Sequence, residues 1–120
     1  MVNKPKIQGT RFETQTKELL QSWGYKAYRL AEGGMADEGD VQVELPEEMI
    51  FECKARQALN IHQSYAKAKE KAGSKPLVLA WKKLVRKGNN KKRTADGVPT
   101  LYIVDEELLK ELLSGYKRQT

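Results

Sequence analysis

Two stretches of strict alternation around a proline constrain this chain more than anything else in it. From Asp40 to Leu45, Val41, Val43 and Leu45 point one way and Asp40, Gln42 and Glu44 the other. From Met49 to Ala55, Met49, Phe51, Cys53 and Ala55 form an apolar row, with Ile50, Glu52 and Lys54 on the opposite one. Period-two runs joined by a short turn at Pro46 predict a β-hairpin. If Leu45 pairs with Met49 across a three-residue turn, Val43 meets Phe51 and Val41 meets Cys53, and the apolar face is continuous. The same register sets Gln42 opposite Glu52 and Asp40 opposite Lys54. Asp40 and Glu52 then become diagonal neighbours about 7–8 Å apart at Cα. A slip of one residue mixes the faces and is disfavoured.

The flanking sequence predicts a small α/β domain. Gly9 and Thr10 precede a helical stripe of Phe12, Thr16, Leu19, Leu20 and Trp23, closed by Gly24 as a C′ residue. Lys26–Leu30 reads as a short strand and 31–39 as a loop. Ile61–Ala72 is a helix with Ile61, Tyr65, Ala68 and Ala72 on its buried stripe, ended by Gly73. The apolar run Pro76–Lys82 suits a central strand covered on both faces. Residues 83–99 read as a long, mobile basic loop or an extended hairpin tip. Thr100–Val104 is a last strand, and Asp105 caps a helix carrying Leu108, Leu109, Leu112 and Leu113. The order αβββαββα gives a mixed central sheet flanked by helices, in a single domain spanning residues 1–120. Cys53 alternates onto the apolar side and belongs to the core. Trp23 and Trp81 read as core or dimer interface.

Charge narrows the function. Lys and Arg number 22 against 16 Asp and Glu, a net charge of +6. Lys82, Lys83, Arg86, Lys87, Lys91, Lys92 and Arg93 crowd one segment that holds no acidic residue. Such a segment attracts phosphate backbones, although a solubilising loop has the same composition. No apolar run reaches the roughly 20 residues of a membrane helix. The first eight residues have no apolar stretch, so no secretory leader is expected. One cysteine excludes an intrachain disulfide and fits a reducing, intracellular (cytoplasmic) setting.

Asp40 and Glu52, converging on one face, suit a hard divalent cation such as Mg²⁺, with Mn²⁺ able to substitute. Lys54 shares that face, two residues from Glu52. Its ammonium is placed to hold an attacking water or shield developing charge. An exposed ladder of salt bridges would have the same spelling. Asp37 and Glu38 crowd the preceding loop, but Asp40 alone starts the strand with the right parity. Thr10-x-x-Glu13 has the spacing of a capping box. Gly33 and Gly34 either let a phosphate approach the backbone or simply connect. Gln63 is a candidate water or phosphate contact, and Lys82 a phosphate contact. His62, the only histidine, is left outside the site.

The sequence order of helix, strand, loop, Asp, hairpin, Glu-x-Lys, helix and strand resembles the PD-(D/E)xK nuclease superfamily. The short chain and opening helix look most like the archaeal-type Holliday-junction resolvases and their viral relatives. The matching text is Gly9-Thr10-Arg11-Phe12-Glu13, Gly24-Tyr25 leading to Arg29, Asp40-Val41 and Phe51-Glu52-Cys53-Lys54, within roughly residues 8 to 104. Gly39 stands where the motif's name has a proline. The resemblance implies a restriction-endonuclease-like fold. It implies that Asp40 and Glu52 bind metal, that Lys54 positions or activates water, that Glu13 approaches the metal, and that Arg29 contacts phosphate. Arg11, Arg56, Gly33, Gly34, Gln63 and the basic segment would line the DNA. It further implies a homodimer cutting four-way junctions, encoded by a cell or a virus. A nicking, flap or restriction-like nuclease of the same fold, and a non-catalytic nucleic-acid-binding module, are the competing readings.

Overall fold

A computed structural model of the chain describes residues 4–30, 40–44, 48–87 and 91–119; at 4–8, 40, 87, 91–94 and 117–119 the description extends to the backbone only. Helix α1 (Lys4–Ser22) leads into β1 (Lys26–Arg29), β2 (Asp40–Glu44) and β3 (Met49–Arg56). Helix α2 (Ile61–Ala72) then crosses back to β4 (Leu77–Lys87). Strands β5 (Lys91–Thr94) and β6 (Leu101–Ile103) and helix α3 (Glu106–Gln119) complete the chain. The fold is α/β, with three helices and a mixed sheet in the order β1-β2-β3-β4-β5, β6 also pairing with β4. Among the described strands only β3 and β4 are parallel, as the α2 crossover requires.

The helix boundaries have local causes. α1 begins at Lys4, ahead of the expected start at Gly9-Thr10, with Pro5 in its first turn, where a missing N–H costs nothing. Thr10 and Glu13 are therefore interior helical residues, and the capping box does not form there. α1 ends as expected at Gly24, whose φ is 95°. The Tyr25 N–H donates to the Leu20 carbonyl at 3.1 Å and the Gly24 N–H to that of Gln21 at 3.0 Å, a Schellman closure. α2 starts at Asn60, whose side chain accepts from the Gln63 N–H, and stops at Gly73.

The alternation seen in the sequence becomes two layers. Phe12 and Leu20 of α1 pack with Ala27, Val41, Val43, Cys53, Ala55, Ala80 and Leu84 on one face of the sheet. On the other face α2 sets Ala68, Tyr65 and Ala72 against Ile50 and Leu77. Ile50, expected on a polar face, is thus core, and Ile61 of the expected α2 stripe is left exposed. Trp23 sits past the end of the α1 stripe and is 59% exposed, so it does not belong to the core.

Two expectations are corrected. The β2–β3 register pairs Asp40 with Glu52, Val41 with Phe51 and Val43 with Met49, leaving residues 44–48 between the last pair. The shift of two residues keeps every side chain on its expected face, which is why the apolar pattern alone did not exclude it. Residues 83–87 and 91–94 are not loop. β4 runs on to Lys87 and β5 returns antiparallel, Arg86 opposite Lys92 and Lys87 opposite Lys91. Of the two forms weighed for this segment, the hairpin is the one observed. Among the described residues no helix is long and apolar enough to cross a membrane.

Candidate metal and phosphate site

Glu52 lies mid-strand in β3, between Asp40 of β2 and Leu79 of β4. Its side chain is on the α2 face and the residue is 3% exposed. A carboxylate buried this deeply must be compensated by charge or hydrogen bonds. Lys54 approaches from the same strand, Nζ at 3.4 Å from Oε2. Lys71, in the last turn of α2, reaches Oε1 at 3.3 Å. The lysine two residues along the strand was legible in the sequence. Lys71 was not, because its approach depends on α2 doubling back over β3. Its only signal was a position off the buried stripe of α2.

Asp40 opens β2 directly opposite Glu52. Opposed positions in an antiparallel pair are about 4.5–5.5 Å apart at Cα, closer than the diagonal placement expected. Next along the same face, Gln42 is buried and donates from its amide to the Tyr28 hydroxyl oxygen. Lys75, beyond α2, donates to Gln42 Oε1 at 3.3 Å and to Glu48 at 3.4 Å. This face therefore carries Glu52, Lys54 and Gln42 under the end of α2, with position 40 in register beside Glu52.

Glu13 is placed elsewhere. It is 2% exposed on α1, and Arg29 donates to its Oε1 from Nη2 at 3.1 Å and Nε at 3.2 Å. Arg29 pairs with Val41 and so shares the α1 face. Glu13 and Glu52 consequently lie on opposite faces of the sheet. The expected approach of Glu13 to the Glu52 site is not what the structure shows, since α1 covers the sheet face that Glu52 does not occupy. Arg29, expected on phosphate, is engaged with Glu13 and keeps part of its side chain in solvent.

The remaining basic residues cluster where β3 ends and β4 continues. Lys82, level with Ala55, bonds Gln15 at 2.5 Å and lies over the Phe12 ring at 5.7 Å. Burial, and then the nearby Arg11 charge, hold its pKa below the usual lysine range. Arg56 is exposed opposite Lys83, whose ammonium donates to the Gln57 carbonyl and stands 5.7 Å from the Trp81 ring centroid. Arg86 is exposed on the outgoing strand; the positions of Lys87, Lys91, Lys92 and Arg93 extend the same ribbon. Gln63 is exposed in the first turn of α2. Gly33 and Gly34, with Asp37 and Glu38, lie outside the described residues.

Among the residues whose side chains are described, no three of His, Cys, Asp and Glu gather into a metal-binding group, a set that does not include the Asp40 side chain. The donor chemistry still fits a hard cation. Glu52 lies opposite a second acidic position, and its two oxygens face the ammonium groups of Lys54 and Lys71, so a bound cation would displace at least one of them. Two acidic residues suit Mg²⁺, which keeps several waters rather than requiring a full protein cage. No protein-family model matches the chain, and neither does any curated protein or solved structure with which it was compared.

Proposed function

We propose that the protein is a metal-dependent endonuclease that hydrolyses DNA phosphodiesters, with Asp40, Glu52 and Lys54 at its centre. The observation that carries this reading is the buried Glu52 carboxylate, opposite Asp40 and ion-paired to Lys54 on the same strand. Replacing a buried ion pair by well-packed apolar groups is often neutral or stabilising, so stability alone does not account for this one. The order of elements and the Asp, Glu-x-Lys spacing support a restriction-endonuclease-like fold of the PD-(D/E)xK kind. A homodimeric Holliday-junction resolvase, pairing two such sites, is the member it resembles most.

In this reading Asp40 and Glu52 would hold Mg²⁺ or Mn²⁺, which would supply Lewis-acid polarisation of the phosphodiester and lower the pKa of a water. Lys54 orients the attacking water by donating to its oxygen. Lys71, on the other oxygen of Glu52, is placed to exchange that partner for a phosphate oxygen when DNA arrives. Glu13 acts through Arg29, holding the guanidinium at the edge of β1. Arg11, Arg56, Lys82, Lys83 and the β4–β5 ribbon neutralise backbone phosphates, contacts that position DNA without reading its sequence.

The test is cleavage of a labelled four-way junction with and without Mg²⁺, beside flaps, single strands and linear duplex. Wild type is expected to cut, and Glu52→Gln to lose about 100-fold or more in rate while binding the junction within about threefold of wild type. Equal cutting by Glu52→Gln overturns the site. Cutting of flaps or linear duplex but not junctions keeps the nuclease and discards the resolvase. One observation favours a second reading. Both Glu52 oxygens already face ammonium groups, as expected of a non-catalytic nucleic-acid-binding module. That module would bind DNA in a salt-dependent way and cut nothing in either metal.

A further inference from the structure

We infer that α3 is a dimerisation element that packs antiparallel against α3 of a second copy of this chain. Of the described side chains of the helix only Leu108 is buried, while Leu109, Leu112, Leu113 and Tyr116 are 47%, 47%, 57% and 68% exposed. These four fall at i, i+3, i+4 and i+7, one continuous apolar stripe. Among the described residues, no other element packs on α3 beyond passing contact. A helix of this length is marginal on its own in water and draws its stability from packing. Its stripe therefore calls for a cover that the rest of the described residues do not supply.

Two features identify the cover as another α3. Glu106, Leu109, Lys110 and Leu113, joined by Ser114, line an open groove of about 360 Å³. The first four sit at i, i+3, i+4 and i+7, the four-residue hole into which a side chain of a facing helix inserts. An antiparallel pair centred between Leu112 and Leu113 sets position 109 beside position 116 of the other helix. Tyr116 of each copy then falls over the hole of its mate, and the contact is isologous and closed. Charge fixes the direction. Glu106 and Glu107 open the helix, and Lys117 and Arg118 occupy its end. Antiparallel pairing sets acidic end against basic end, whereas parallel pairing would set like against like.

The inference gives an interface to the two-copy reading above and rests on it for stoichiometry alone. It is tested on protein without DNA, so a failed dimer and a failed nuclease are told apart. Sedimentation across the micromolar range is expected to find wild type dimeric. Leu113→Glu is expected to be monomeric, and Tyr116→Ala to dissociate at least about tenfold more readily. Tyr116 is the most exposed of the four, so its truncation leaves the core intact should Leu113→Glu misfold. Glu106→Lys and Lys117→Glu each weaken the dimer, and the double reversal restores it. A wild type that stays monomeric, including one that binds anionic vesicles instead, overturns the proposal. So does a dimer indifferent to Tyr116→Ala and Leu113→Glu. Failure of the double reversal to restore overturns the antiparallel direction.

Discussion

Glu52 and Glu13 are two nearly inaccessible carboxylates on opposite faces of one sheet, and each is compensated differently. Glu52 has ammonium groups on both oxygens, compact point charges that exchange partners readily. Glu13 has a guanidinium fork from Arg29, a planar donor that fixes orientation. The first arrangement suits a site that must admit a cation and a phosphate, the second a structural anchor between α1 and β1. Removing the guanidinium leaves a buried charge poorly compensated, a loss that reaches about 3–5 kcal/mol for fully buried pairs. Arg29 is part-exposed, so solvent screening lowers the expectation for Arg29→Met to about 1–3 kcal/mol. Urea denaturation at neutral pH measures it. Adding Glu13→Gln should recover part of the loss, and an additive double mutant would show that the pair is not coupled.

At the scale of elements, the β4–β5 ribbon is built against its own electrostatics. Arg86 stands opposite Lys92 and Lys87 opposite Lys91, and like charges at opposed positions destabilise a strand pair. A polyanion lying along the ribbon would turn that cost into affinity. Lys91→Thr with Lys92→Thr relieves one member of each pair. The double variant is expected to gain roughly 0.5–2 kcal/mol at low salt. Its slope of log affinity for DNA against log salt should fall by about two. A stability gain with an unchanged slope would place the DNA elsewhere. The same ribbon shows where sequence reading stops. α2 was legible to the residue because its stripe of Ile61, Tyr65, Ala68 and Ala72 has the helical period and Gly73 closes it. Strand signals depend on one face being buried, and 85–94 has almost no apolar face, so its pairing left no period to read. The hairpin register was legible only modulo two, since parity survives a two-residue shift. Glu52 with Lys54 followed from parity alone, whereas Lys71 required knowing how α2 crosses the sheet.

Across the whole molecule, the base of α3 at Asp105 lies near α2. Asp105 roots the helix by accepting the Leu108 N–H at 2.8 Å, and that bond holds its carboxyl below the usual carboxylate range. Tyr65 of α2 lies near the same carboxylate, its buried hydroxyl without a hydrogen-bond partner among the described residues. Burial first, and then the Asp105 charge, push the Tyr65 phenol up from 10.0 to about 12. The raised phenol pKa sets how stability depends on pH. A folded-state pKa above the unfolded one means that the folded chain keeps its proton while the unfolded chain releases it. The stabilisation is therefore complete below about pH 10 and is lost as pH rises towards 12. Lysines titrate over the same interval, so the measurement is a difference. Wild type and Tyr65→Phe are unfolded in urea at a series of pH values. The variant lacks the ionisable phenol, so the gap between the two should widen against wild type from about pH 10 upwards. A gap that stays constant with pH would mean that Tyr65 ionises as freely in the folded chain as in the unfolded one, and that its burial does not hold the proton.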